Sequence, residues 1–165
     1  MFPEHVVIGV DRSLARLSKN GVYRQQSSSS DKGNRDNVIF VRAELADFWR
    51  LWLETPLGSL EKHFLLYPNP YPKKKRFQNR WYAHPAFPLI RKLGGNEILV
   101  RSNWKAYLDD FSTALSILED LEGDSPSYQA SGPSVLDPEQ DAWTAFEKKY
   151  FDVGETSYEL VISKI

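Results

Sequence analysis

No cysteine occurs among the 165 residues, which excludes disulfide scaffolds, thiolate metal sites and cysteine nucleophiles. No apolar run approaches the roughly 18 residues of a membrane-spanning helix. Residues 1–5 (Met-Phe-Pro-Glu-His) carry neither a basic n-region nor an apolar h-region, so a soluble cytoplasmic domain is the expectation. There is no excess of one charge: 21 Lys+Arg stand against 22 Asp+Glu, a formal net charge of -1, which excludes a globally basic nucleic-acid binder. Only three histidines occur (His5, His63 and His84), scattered and without metal-ligand spacing, so no metal is expected. No Gly-x-Ser-x-Gly elbow and no phosphate-loop motif is present.

Hydrophobic residues make up 41% and aromatics 13% of the chain, enough for a packed core and too much for intrinsic disorder. The length suits one domain. Four short apolar runs read as buried strands: 6–11 (Val-Val-Ile-Gly-Val-Asp), 37–42, 63–67 and 97–101, with a last strand at 157–162. Helices are predicted at 13–19, 44–54 (Leu45, Phe48 and Trp52 on one face), 82–93, 104–118 and about 138–150. The stripe Trp104, Tyr107, Leu108, Phe111, Leu115 and Leu118 makes 104–118 the clearest of them, with Asp109 and Asp110 facing away. Two segments read as flexible loops, the serine-rich 25–36 and the Ser/Pro/Gly-rich 123–137. Strands alternating with helices imply a largely parallel α/β sheet in a single domain.

In such sheets ligands sit beyond the C-terminal ends of the strands. Asp11 ends the first strand; it can accept both hydroxyls of an adenosine ribose, or cap the following helix. Glu44 follows the second strand, where it can face an adenine or ribose, or serve as a first-turn acid favoured by the helix dipole. After the third strand come three prolines in five residues, Pro68-Asn69-Pro70-Tyr71-Pro72, which forbid helix and ladder alike. A loop so stiffened holds the Asn69 amide ready to donate to and accept from a nucleobase edge; the alternative is a turn without chemistry. Five cations follow within eight residues: Lys73, Lys74, Lys75, Arg76 and Arg80. A charge run is usually a solvated face. Here Tyr71, Phe77, Trp81 and Tyr82 are interleaved, and cations for phosphates beside rings for bases suit an RNA surface.

These residues resemble a family. Tyr67-Pro68-Asn69-Pro70-Tyr71-Pro72-Lys73-Lys74, running on to Arg80, is similar to the Pro-Asp-Pro-Trp-Pro-Lys-Lys loop and basic stretch of the TrmB-like tRNA (guanine-N7-)-methyltransferases. Further segments fall in that family's order: Ile8-Gly9-Val10-Asp11-Arg12-Ser13, then Gly94-Gly95 up to Ser102-Asn103-Trp104-Lys105-Ala106-Tyr107, then Thr144-Ala145-Phe146-Glu147. The resemblance implies a Rossmann-like class I methyltransferase fold, its sheet mostly parallel with a C-terminal antiparallel strand, and S-adenosyl-L-methionine as cofactor. It implies tRNA as partner and methyl transfer to guanine N7 as the reaction. By the same resemblance Asp11 would hold the cofactor ribose and Glu44 would lie near its adenine. Asn69 would stand between cofactor and base and act catalytically with Lys73, and Tyr71, Lys73, Lys74, Lys75, Arg76, Arg80, Ser102 and Asn103 would face the RNA.

The chain departs from the family pattern in two ways. Asn69 stands where the family has Asp, Ser102-Asn103 replaces Thr-Asp, and Lys105 stands where an acid is common. Asn-Pro-Tyr-Pro is also similar to the Asn-Pro-Pro-Tyr loop of methyltransferases acting on exocyclic amines, which gives an alternative substrate atom. In addition, the family's first strand and its Gly-rich loop should precede residue 6. The resemblance thus implies an N-terminally truncated methyltransferase, and with it the further alternative of an inactive remnant or RNA-binding module.

Overall fold

The computed structural model describes residues 4–19, 37–123 and 127–165. The loop expected at 25–36 lies outside them. The chain divides into two compact units, Met1–Thr55 and Pro56–Ile165, and its strands form two sheets.

The first unit runs β1 (Val7–Asp11), α1 (Leu14–Lys19), β2 (Val38–Arg42), α2 (Leu45–Glu54). β1 and β2 pair in parallel, Val7 opposite Val38 through Asp11 opposite Arg42. Gly9 is required by this pairing: a Cβ there would lie 2.9 Å from two carbons of the Phe40 ring. Leu17 and Trp49 are the residues most withdrawn from solvent. Leu45, Phe48 and Trp52, the predicted stripe of α2, are half-buried, and Trp49 beside them is the one fully covered.

The second unit contains β3 (Lys62–Leu66), two short 3-10 turns (Lys74–Asn79 and Trp81–Ala83), α3 (Phe87–Leu93), β4 (Glu97–Ser102), α4 (Lys105–Glu122), β5 (Tyr128–Ala130), β6 (Ser134–Val135), α5 (Ala145–Asp152) and β7 (Tyr158–Lys164). The sheet order is β3-β4-β7-β5, with β6 also on β7. β3 and β4 are parallel; β7 runs antiparallel to β4, β5 and β6. A parallel α/β sheet closed by an antiparallel C-terminal strand is therefore present. Ile98, Val100, Leu160 and Ile162 on the two central strands are sealed beneath Tyr107, Leu108 and Phe111 of α4. Asp109 and Asp110 point outward as predicted. Among the described residues no helix is long and apolar enough to cross a membrane.

The helix predicted at 104–118 runs on to Glu122, and three further boundaries differ from the sequence reading, each for a local reason. The helix predicted at 82–93 begins only at Phe87, because Pro85 holds His84 extended (ψ 142°) and leaves a 3-10 turn before it. The helix predicted at 138–150 begins at Ala145. Asp137 accepts from the Glu139 N–H at 2.9 Å and Asp141 from the Asp137 N–H at 2.7 Å, bonds that compete with a helix. The segment 123–137, read as a flexible loop, contains β5 and β6. It is tied down by Tyr128 and Leu136, both buried, and by the Tyr128 hydroxyl donating to the Gly95 carbonyl at 3.0 Å.

Candidate nucleic-acid interface

The proline loop leaves the C-terminal end of β3 between two tyrosines in left-handed backbone, Tyr67 (φ 51°) and Tyr71 (φ 41°). A non-glycine residue there costs of order 1 kcal/mol, so each must be held by its surroundings. Tyr67 is held from the sheet side. Its N–H donates to the Arg101 carbonyl at 2.8 Å, and its ring packs on Phe146 and Tyr150 of α5, with centroids 4.7 and 6.3 Å away. Burial, reinforced by the nearby Glu147 carboxylate and opposed by Ser157, pushes the pKa of its hydroxyl up to about 12.

Tyr71 is held by Arg80. The guanidinium donates to the Tyr71 carbonyl through Nε at 3.3 Å and through a terminal nitrogen at 3.1 Å. The other terminal nitrogen donates to the Tyr82 hydroxyl at 2.7 Å, which itself donates to Asp110 at 2.7 Å. Burial first, and then the bond to Asp110, raise the Tyr82 hydroxyl above its ordinary range. The rings of Phe77, Tyr82 and Trp104 surround the Arg80 guanidinium at 5.2, 5.9 and 5.4 Å.

Between these anchors Asn69 makes an Asx turn, its Oδ1 accepting from the Tyr71 N–H at 3.1 Å. Asn69 is exposed, and its two amide N–H donors have no hydrogen-bond partner among the described residues. Asn69, Tyr71, Pro72, Lys73 and Arg76 line one open hollow of about 190 Å³. No carboxylate lines it, and none lies within ion-pair distance of Lys73, Lys74, Lys75 or Arg76 among the described residues. Lys74 and Lys75 sit exposed on the 3-10 turn beside it. The wall therefore presents cations and donors, the surface for an anion or an acceptor-rich base edge.

The remaining predicted residues have other partners. Ser102 is buried, and its Oγ accepts from the Trp104 N–H at 3.0 Å at the entry to α4. Asn103 donates to Glu155 at 3.1 Å, and Lys105 pairs with Asp109 along α4 at 2.8 Å. In the first unit Asp11 accepts from the Ser13 N–H at 2.7 Å, an Asx turn leading into α1, and from Arg16 at 3.3 Å. Glu44, the N-cap residue of α2, makes no side-chain cap and meets Arg12 at 3.4 Å. Sequence reasoning assigned no role to Arg101 or Glu147. Arg101, 1% exposed, donates to Glu147 at 2.8 Å, to Glu159 at 2.7 Å and to the Asp141 carbonyl at 2.8 Å, with the Trp143 ring centroid 3.2 Å from its guanidinium carbon. Thr144 and Glu147 complete a capping box. The Thr-x-x-Glu spacing was the one available signal for that part of the cluster.

No family model matches the chain. A tRNA (guanine-N(7)-)-methyltransferase of Acinetobacter baylyi is 27% identical over 126 residues, 73% of this chain and 48% of that protein. The chain thus spans about half the length of the curated relative it matches. A solved structure described as an antibiotic-related methyltransferase superposes over 96% of this chain and 75% of its own, with a TM-score of 0.50 and 20% identity. The chain has a methyltransferase fold and is similar in sequence to a tRNA (guanine-N7-)-methyltransferase.

Proposed function

We propose that the chain belongs to an S-adenosyl-L-methionine-dependent RNA methyltransferase acting on N7 of a guanine in tRNA. The observation that carries this reading is the hollow at Asn69, Tyr71, Pro72, Lys73 and Arg76, walled by donors and cations at the C-terminal end of a parallel strand. The sequence similarity to a tRNA (guanine-N(7)-)-methyltransferase supports it.

Guanine N7 carries a lone pair and is already a nucleophile, so the reaction needs alignment rather than a general base. The unpartnered amide N–H groups of Asn69 match the O6 acceptor beside N7. Lys73, Lys74, Lys75 and Arg76 would take backbone phosphates, and the Tyr71 ring offers a stacking face for a base. The cofactor would supply an electrophilic methyl on a sulfonium sulfur. Asp11 fits its ribose: the carboxylate has about four lone-pair positions, of which Ser13 and Arg16 occupy two. Glu44, exposed beyond β2, would face the adenine. An exocyclic amine would instead donate to Oδ1, which has two lone pairs, one of them taken by the Tyr71 N–H.

The test is nucleoside mass spectrometry of tRNA incubated with the chain and S-adenosyl-L-methionine. A rise in 7-methylguanosine supports the reading. An N-methylated adenine or cytosine would assign an exocyclic amine instead, and tRNA binding without methyl transfer would leave an RNA-binding module.

A further inference from the structure

We infer that Arg80 is a positioning residue rather than a phosphate contact: it clasps the Tyr71 carbonyl from behind and thereby holds the Asn69–Arg76 hollow in a receptive shape. Of the five cations in this stretch it is set apart by its surroundings. Lys73, Lys74, Lys75 and Arg76 are exposed, whereas the Arg80 side chain is 12% exposed. Each of its nitrogens has a partner inside the protein: Nε and one terminal nitrogen on the Tyr71 carbonyl, the other on the Tyr82 hydroxyl. Asp110 lies 3.8 Å away and supplies the counter-charge. Three rings enclose the guanidinium plane. Three of its five N–H donors are thus committed inside the protein, and with the side chain 12% exposed the other two offer a phosphate little access.

What the clasp holds is a residue with φ 41°, a backbone that tyrosine leaves unless restrained. Tyr71 connects directly to Pro72 and Lys73, and its N–H is the donor that orients Asn69. Releasing the carbonyl lets Tyr71 return to an ordinary conformation, which turns Asn69 and Lys73 away from each other. Arg80 thus acts on the ligand only through the loop. Lysine cannot replace it, because one ammonium gives neither the two-nitrogen clasp nor a flat face for the rings.

The experiment compares Arg80→Lys with the unaltered chain by two readouts. Backbone order at Asn69, Tyr71, Lys73 and Lys74 is followed by the ¹⁵N heteronuclear NOE, and affinity for labelled tRNA by anisotropy. The expected result is a fall in NOE confined to that loop and a loss of about tenfold in affinity, the scale of one charged hydrogen-bond arrangement. Lys73→Ala, which weakens the unaltered chain, should then cost nothing further beside Arg80→Lys. An ordered loop, with affinity kept by the lysine and additive with Lys73→Ala, would overturn the inference and make Arg80 a phosphate contact. If Arg80→Lys does not fold, Tyr82→Phe removes the hydroxyl that locks the guanidinium and keeps the ring, and the same two results decide. The affinity arm rests on the RNA-binding reading above. If the unaltered chain binds no tRNA, that reading fails while the NOE arm still decides the clasp.

Discussion

Glu147→Ala should be the most damaging single truncation in the second unit. The carboxylate is 0% exposed and does two things at once. One oxygen pairs with Arg101 at 2.8 Å, and the other accepts from the Thr144 N–H at 2.7 Å. Removing one partner of a buried pair typically costs about 3–5 kcal/mol, since the other charge is left without compensation. Here the lower end applies, because Arg101 keeps Glu159, the Asp141 carbonyl and the Trp143 ring. Loss of the capping acceptor adds about 1 kcal/mol. The sum is about 4 kcal/mol, a large part of the roughly 5–15 kcal/mol that holds a domain together.

Urea unfolding followed by far-UV circular dichroism measures this directly. With a slope near 2 kcal/mol per molar, the midpoint should fall by about 2 M. Glu147→Gln keeps the capping acceptor and a neutral bond to Arg101, so about half the loss is expected. Arg101→Met combined with Glu147→Gln should cost less than the two changes added, because no buried carboxylate is left at position 147, while the loss of Glu159's partner is common to the single and double Arg101 variants. A midpoint shift below about 0.5 M for Glu147→Ala, or strict additivity in the double variant, would refute the reasoning.

Arg76→Gln removes a cation that lines the hollow and has no acidic partner among the described residues; the slope of log affinity for tRNA against log salt should shrink by about 0.7–0.9, without a change in melting temperature. Burial holds the His63 imidazole down to about 4 from its usual 6.5, so the unfolded chain binds this proton before the folded one as pH falls. Its contribution is fully present above the unfolded value and is lost between roughly pH 6.5 and 4; from about pH 7.5 to pH 5 the unaltered chain should lose about 2 kcal/mol more than His63→Gln in urea titrations.

The sequence made legible those features that depend on neighbours in the chain. β1, β2 and β4 show themselves as β-branched runs, β3 as a short apolar run, α4 through its stripe, and the loop through prolines that act on their own backbone. What escaped depends on residues far away. The five cations look alike in sequence; only Phe77, Tyr82 and Trp104 closing around Arg80 separate it from the four that face solvent. Arg101 reads as the polar end of a strand, yet its partners Glu147 and Glu159 come from α5 and β7. The pairing of 128–130 on β7 was hidden for a similar reason. Its Ser/Pro/Gly surroundings are those of a loop, and what pins it lies far along the chain: the Gly95 carbonyl that Tyr128 reaches, and β7.

The amide at position 69 allows one more argument from charge alone. The Asx turn needs an oxygen to accept from the Tyr71 N–H, and a carboxylate supplies that as well as an amide does. Asn69→Asp should therefore leave the loop and the melting temperature within about 0.5 kcal/mol of the unaltered chain, as for other exposed substitutions. What changes is the field inside the hollow, where the new anion would face Lys73 and Arg76 and cancel part of their attraction for phosphate. At an exposed site such a charge is worth about 0.5–1 kcal/mol, so tRNA binding should weaken about two- to fivefold. A guanine methylated at N7 becomes cationic, and the same carboxylate would stabilise that developing charge where the amide cannot. If the proposed reaction is the right one, single-turnover methyl transfer should accelerate while binding weakens. An amine substrate bound through Oδ1 would give no such opposition, since a carboxylate accepts from an N–H donor more strongly than an amide does, and binding and rate would then rise together.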